Sequence, residues 1–226
     1  MYAKFFKRVM DFVLSLCALI VLSPVLLILA VLGAVIMKGN PFFTQLRPGK
    51  DEKIFKMIKF RSMTCETDTN GNLLPDEVRL TKYGKFLRAT SLDELPELLN
   101  IVKGDMSIVG PRPQLVRDMV FMTPEQRSRH SVRPGLTGLA QCNGRNAMSW
   151  EKKFEYDLIY IQKITFLGDV KILLQTVIKV FQRDGINEEG MATAEDLGDY
   201  LLRIGTVDRE EYAEKQAEAS RTLAAV

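Results

Sequence analysis

VLSLCALIVLSPVLLILAVLGAVIM, Val13 to Met37, contains no charged residue. As a straight helix it would be ~37 Å long, ample for a ~30 Å hydrocarbon core. The run is longer than the apolar stretch of an ordinary signal peptide, and no A-x-A site follows it. Two features complicate a simple spanning helix. Ser23-Pro24 lies in the middle, and proline removes the bond to the carbonyl four residues back, so a bend is predicted there. Basic residues also flank both ends, Lys4, Lys7 and Arg8 before and Lys38 and Arg47 after, which favours a cytoplasmic location for both. A bent helix that enters and leaves one leaflet satisfies both observations; a Pro-kinked spanning helix satisfies the first.

Outward from this segment, 226 residues with 46% hydrophobic and 26% charged suffice for one domain plus a membrane element. Charge is unevenly placed. Residues 1–63 carry ten Lys/Arg against three acids, whereas residues 184–226 carry four against eleven. A basic first third suits an anionic membrane surface or phosphate ligands. The acidic end is expected to face solvent or a partner. No nucleic-acid-binding motif is present, and nucleic acid is not an expected partner. Three cysteines (Cys17, Cys65, Cys142) without C-x-x-C argue against a disulfide framework or zinc site and for reduced, cytoplasmic thiols. His130, the single histidine, reads as a loop residue rather than a metal ligand.

The composition of Pro41–Phe43 and Ile54–Phe60 predicts short strands, and residues 64–78 a polar loop. Helical patterns fall near 81–89, 92–103, 113–121 and 124–129, then a turn-rich stretch over 131–148. Ser149 is placed to cap a helix running to about Lys163. A helix over 168–182 carries Val170, Leu173, Leu174, Val177, Ile178 and Phe181 on one face, expected in the core rather than on the membrane. Two more helices are predicted near 193–203 and 208–223.

Ser91-Leu92-Asp93-Glu94-Leu95-Pro96 is the most unusual polar stretch. Ser91 and Glu94 match a helix capping box, with Asp93 as a first-turn acid. Pro96 conflicts with that, because inside the helix it would forfeit the bond to the Leu92 carbonyl; irregular backbone is predicted around Asp93. An ionised carboxylate can attack phosphorus, and the adjacent Glu94 can bind a metal or orient the pair. Basic residues lie nearby in Gly/Pro-rich or strand-end contexts: Lys59, Arg61, Arg88, Arg112 within Gly110-Pro111-Arg112-Pro113, and Arg145 within Gly144-Arg145-Asn146. Arginine binds phosphate oxygens bidentately. Pro134 to Gln141 is a second tight-turn element, whose glycines serve either an ordinary turn or close backbone approach to an anion. No Walker A, G-x-G-x-x-G or H-E-x-x-H occurs, which disfavours P-loop kinases and Rossmann dehydrogenases.

In order, these pieces (Lys59-Phe60-Arg61-Ser62-Met63; Leu87-Arg88 with Ser91–Pro96; Gly104–Pro113; Arg133–Gly138; Gly144-Arg145-Asn146) resemble the bacterial sugar transferase family, the monotopic phosphoglycosyl transferases that use polyprenyl phosphate. The resemblance runs from about Lys7 to about Asp184. It is to the minimal members, such as the diacetylbacillosamine-phosphate transferases of bacterial N-glycosylation, without the extra membrane helices of large members. It implies an α+β, mostly helical fold: a Pro-kinked re-entrant membrane helix (1–38) and a small cytoplasmic catalytic domain (39–184) with short strands and amphipathic helices at the membrane surface; the acidic helical extension (185–226) departs from the family's common core and is read from its composition alone. It implies Asp93 as nucleophile on a UDP-sugar, release of UMP, and transfer to undecaprenyl phosphate at the cytoplasmic face of the bacterial inner membrane. Mg²⁺ is implied at Asp93 and Glu94, with Lys59, Arg88, Arg112 and Arg145 holding phosphates and Asp157 as a further site candidate. Membrane lipids and downstream glycosyltransferases are the other partners implied, and an acetamido-deoxy sugar the donor. Three readings compete: direct transfer in a ternary complex with Asp93 only binding metal, a non-catalytic membrane scaffold, and a nucleotide-sugar-binding regulator.

Overall fold

The computed structural model describes residues 1–144, 148–182 and 195–225. After one π-helical turn (Tyr2–Phe6), helix α1 runs unbroken over Lys7–Ile36 with Pro24 inside it. Pro24 cannot donate to the Ile20 carbonyl, and Ser23 Oγ donates to that oxygen instead, at 2.8 Å. The burial of α1 is inverted. Ile20, Val21, Leu27 and Val35 are exposed, while Asp11, Ser15, Leu29 and Gly33 are buried. In water such a surface would be an unstable apolar patch; against lipid it is the expected one.

Strands β1 (Phe42–Pro48) and β2 (Ile54–Phe60) form an antiparallel hairpin with Phe42 opposite Phe60 and Pro48 opposite Ile54. The polar loop follows, then α2 (Asp76–Arg79) and α3 (Lys82–Thr90), whose Thr81 cap accepts from the Gly84 N–H. A 3₁₀ turn over Leu92–Glu94 leads into α4 (Glu97–Lys103). The helix predicted over 92–103 therefore begins five residues late, because Pro96 lacks the N–H an interior position needs and occupies the N-cap instead. Asn100, fully buried, ties α4 to the hairpin edge: its Oδ1 accepts from Ile58 N at 3.0 Å, and its Nδ2 donates to Lys56 O at 2.7 Å and to Asp105 Oδ2 at 3.1 Å.

Strand β3 (Ser107–Val109) precedes the short helices α5 (Val116–Met119) and α6 (Pro124–Arg127) and a 3₁₀ turn over Ser128–Ser131. The turn-rich stretch holds strand β4 (Gly135–Thr137), parallel to β3, and helix α7 (Leu139–Asn143). The strands meet so closely that a Cβ on Gly135 would lie 2.1 Å from Gly110 N. Helix α8 (Trp150–Gln162) is capped by Ser149, whose Oγ accepts from Lys152 N, and α9 (Phe166–Gln182) follows. The expectation that the apolar face of α9 joins the core is overturned. Ile172 is buried and Leu173 half-buried against Val109, Cys142 and Tyr160, but Leu174, Val177 and Ile178 are exposed. The helix is anchored by one edge, and that edge also buries Asp169.

Helices α10 (Leu197–Arg203) and α11 (Arg209–Ala224) send Leu197, Val207 and Ala219 into a cluster with Val116, Met119–Met122, Trp150 and Phe154. The acids Glu210, Glu211 and Glu214 stay exposed. Among its described residues, the acidic extension thus contributes apolar side chains to the core, while these acids face water.

Two further clusters lie along α1. Ala18, Leu19 and Leu22 meet Met57, Leu98, Ile101 and Met106; Leu26, Leu29 and Ala30 meet Phe60 and Leu87. The helix therefore rests on the domain along much of its length. Replacing Asn100 with Ala strands buried donors and acceptors on β2. It is expected to lower unfolding free energy by about 2–4 kcal/mol, read by chemical denaturation in micelles; a loss under about 1 kcal/mol would show that water substitutes for the amide.

Candidate active site

Ser91 closes α3 in the left-handed region (φ 56°), its N–H donating to the Arg88 carbonyl. Its side chain makes no cap bond to the following turn, so the capping-box reading is not realised. The chain then turns through Asp93 and Glu94 without entering regular helix, which presents two adjacent carboxylates at the junction of α3, α4 and β2.

Glu94 is committed to cations. Its Oε1 accepts from Lys59 Nζ at 2.8 Å and from Arg112 Nη2 at 2.6 Å. Lys59, on β2, also lies 3.1 Å from Oε1 of Glu97, the first residue of α4. Burial works to raise the Glu94 carboxyl, but Arg112 and Lys59 overcome it and hold Glu94 well below the usual carboxylate range. Glu97, 2% exposed, is pushed up to about 7 by burial, against the pull of Lys59. Burial likewise works to lower Lys59, and the charges of Glu94 and Glu97 raise it. Asp93 differs from Glu94. Among the described residues none donates a hydrogen bond to its carboxylate. Burial and the Glu94 charge raise its pKa, with Lys59, Arg112 and Arg88 opposing. A carboxylate with no hydrogen-bond donor among the described residues, more basic than usual and within electrostatic range of three cations, is chemically able to receive an anionic phosphate group and attack it.

The structure thus brings together Lys59, Asp93, Glu94 and Arg112, with Arg88 in electrostatic range and its Nε donating to Ser62 Oγ at 3.1 Å. Asp157 does not join them. It is buried on α8, where Arg129 donates to its Oδ2 from Nε at 2.9 Å and from Nη2 at 2.6 Å. Arg145 lies outside the described residues. Glu97 was missed in the sequence; its i+3 spacing from Glu94 was the available signal. Among the described residues no group of three His, Cys, Asp or Glu could hold a metal alone. Both cations bind Glu94 through Oε1, so Asp93 and the Oε2 of Glu94 are the carboxylate oxygens not engaged by the described residues. That set fits Mg²⁺, which takes one or two carboxylates and completes its shell with phosphate oxygens and water.

His130, in the 3₁₀ turn over Ser128–Ser131, is buried, with Nδ1 3.3 Å from Glu52 Oε1. Glu52 is also ion-paired with Arg127.

The family model described as bacterial sugar transferase matches residues 2–183. The Bacillus subtilis (strain 168) protein named "Uncharacterized sugar transferase EpsL" is 51% identical over 191 residues, covering 84% of this chain and 94% of that protein. A Klebsiella pneumoniae UDP-glucose:undecaprenyl-phosphate glucose-1-phosphate transferase is 43% identical over 78% of this chain and 40% of that protein. A Salmonella typhimurium undecaprenyl-phosphate galactose phosphotransferase is 34% identical over 81% of this chain and 42% of that protein. The chain spans about two fifths of the last two relatives.

Burial, then the Arg129 charge, depress the His130 imidazole to about 4 from 6.5, against Glu52. A base depressed in the folded state takes its proton first in the unfolded chain, so stability falls as pH drops from 6.5 toward 4. The expected result is one histidine resonance titrating near pH 4 by NMR of selectively labelled protein; a midpoint near 6.5 would show the ring to be solvated.

Proposed function

The chain belongs to the bacterial sugar transferase family, and we propose that it transfers a sugar 1-phosphate from a UDP-sugar to undecaprenyl phosphate, releasing UMP. The observation that carries this is the division between neighbouring carboxylates: Glu94 is held by Lys59 and Arg112, whereas Asp93 beside it receives no hydrogen bond from any of the described residues. The relatives named as undecaprenyl-phosphate sugar transferases support the reaction class.

In the first step an Asp93 oxygen attacks the β-phosphorus of the donor. The bond from that phosphorus to the bridging oxygen breaks, UMP leaves with the electron pair, and the sugar phosphate remains as an acyl phosphate on Asp93. In the second step a phosphate oxygen of undecaprenyl phosphate attacks the same phosphorus, Asp93 is released as carboxylate, and an undecaprenyl-diphosphate sugar forms. Lys59, Arg88 and Arg112 hold the phosphate oxygens, and Glu94 keeps Lys59 and Arg112 aimed at Asp93. Mg²⁺ at Asp93 and Glu94 would offset the repulsion between a carboxylate and a diphosphate. Arg145 is assigned to the same phosphate-binding set from its motif.

The membrane geometry follows from α1. One end is fixed to the domain by Lys7 and Arg8, and near the other end Tyr83 donates to the Leu29 carbonyl at 2.7 Å. Contacts with one domain near both ends support a re-entrant helix bent at Ser23-Pro24, entering and leaving the cytoplasmic leaflet. The exposed face of α9 suits the same surface. The catalytic unit, residues 39–184, then works at headgroup level on the cytoplasmic face of the inner membrane, and its lipid-linked product is a substrate for later glycosyltransferases.

The test is UMP release by solubilised protein with Mg²⁺, undecaprenyl phosphate and a panel of UDP-sugars that includes glucose, galactose and acetamido-deoxy donors. Asp93→Asn is expected to reduce turnover by about a thousandfold or more, and radiolabelled sugar phosphate should be trapped on wild-type Asp93. UDP as product would overturn the reaction. UMP formation without a trappable adduct or burst would favour direct transfer. Arg112→Lys should lower kcat/KM by about 10- to 100-fold despite keeping its charge. A cysteine at Lys4 should label only from the cytoplasmic side, and labelling from outside would reject the re-entrant reading.

A further inference from the structure

Arg112 reaches Glu94 from a loop with few polar handles. Pro111 and Pro113 fix φ on either side of it, and because Pro113 lacks an N–H the 112–113 peptide can be oriented only through its carbonyl. Three successive carbonyls of this loop are each gripped by a different element. Gly135 N donates to Pro111 O at 2.9 Å, Arg129 Nη2 to Arg112 O at 2.6 Å, and Arg47 Nη1 to Pro113 O at 3.2 Å.

Arg129 is the anomalous grip. It is a full guanidinium with its side chain 1% exposed, paired with the equally buried Asp157 and lying over the Phe154 ring at 5.9 Å. Burying two charges forfeits several kcal/mol of hydration per ion, and well-packed apolar residues in their place are often no less stable. Stability alone therefore gives weak reason for the pair. Its position gives a better one, since the nitrogen that binds Asp157 also holds the Arg112 carbonyl.

We infer that Arg129, fixed by Asp157, is a positioning residue that sets the direction of the Arg112 guanidinium toward the donor phosphates. The inference rests on the phosphate-binding role proposed above for Arg112. Asp157 accordingly acts through Arg129 and Arg112 and does not touch the donor. A lysine at 129 can pair with Asp157, but without a planar fork it cannot also hold the carbonyl in the same geometry.

The experiment measures kcat and KM for UMP release, UMP affinity by calorimetry and thermal unfolding, on full-length protein in micelles. Arg129→Lys is expected to unfold within a few degrees of wild type yet raise the donor KM about tenfold, with kcat less affected. The double variant Arg129→Met/Asp157→Leu should do the same, whereas Asp157→Leu alone strands a buried charge and should lose stability. In an Arg112→Ala background, Arg129→Lys should have no further effect on KM or UMP affinity. Folded variants with wild-type KM, or additive effects in the Arg112→Ala background, would overturn the inference. Should wild type release no UMP from any donor, the reaction reading fails by itself, and the UMP-affinity cycle still decides whether Arg129 acts through Arg112.

Discussion

A long apolar helix with most of its surface exposed must still be joined firmly to the rest of the domain, and here three charged side chains make the joint. Arg8 donates to the Ile101 and Val102 carbonyls at 2.6 and 2.9 Å, which caps the end of α4. Asp11, buried, accepts from Ser107 Oγ at 2.6 Å and from Ile108 N at 3.2 Å, binding α1 to β3. Lys7 reaches Asp169 on α9 at 2.7 Å, and Tyr160 donates to the same carboxylate. Each buried charge is matched, so the joint is rigid and specific in register. Helix α4 starts three residues after Glu94, so fixing its far end to α1 also fixes the two carboxylates relative to the membrane helix.

On that frame the site is built by unequal treatment of like groups. Asp93 and Glu94 are neighbours of the same chemistry, yet one is bound by two cations and the other by none of the described donors. The unpaired one becomes more basic, and the paired one is locked in its ionised form and organises the cations around it. Glu97 extends the arrangement as a second carboxylate beside Lys59, 3.1 Å from its Nζ. Asp93, Glu94 and Glu97 share one electrostatic network with Lys59, Arg88 and Arg112, three formal negative charges against three positive.

Much of this was readable from the chain because it is local. The length of α1, the Ser23-Pro24 pair, the hairpin strands, the Ser149 cap and the Asp93-Glu94 stretch are all set by residues within a few positions of one another. What was not readable depends on distant pairing. The β3–β4 pair is only three residues long on each side and sits in Gly/Pro-rich sequence that reads as turns. Glu97 gains its role from Lys59, thirty-eight positions earlier, and Arg129 from Asp157, twenty-eight positions later. Asp157 enters as a site candidate from the family resemblance alone, and its pairing with Arg129 is a long-range contact of the same kind. The outward face of α9 has the periodicity of a core face, and periodicity does not say what covers it.

The glycines that hold the Arg112 loop have a consequence for how such a protein can diversify. A side chain at Gly110 would meet the Arg133 carbonyl at 2.6 Å, and one at Gly138 would meet the Gly110 carbonyl at 2.1 Å. The backbone here is packed on backbone, so this part of the site offers selection no volume to vary and no new surface with which to read a different sugar. The loop that carries Arg112 is thus the rigid part of the frame, and change is accommodated only at its margins.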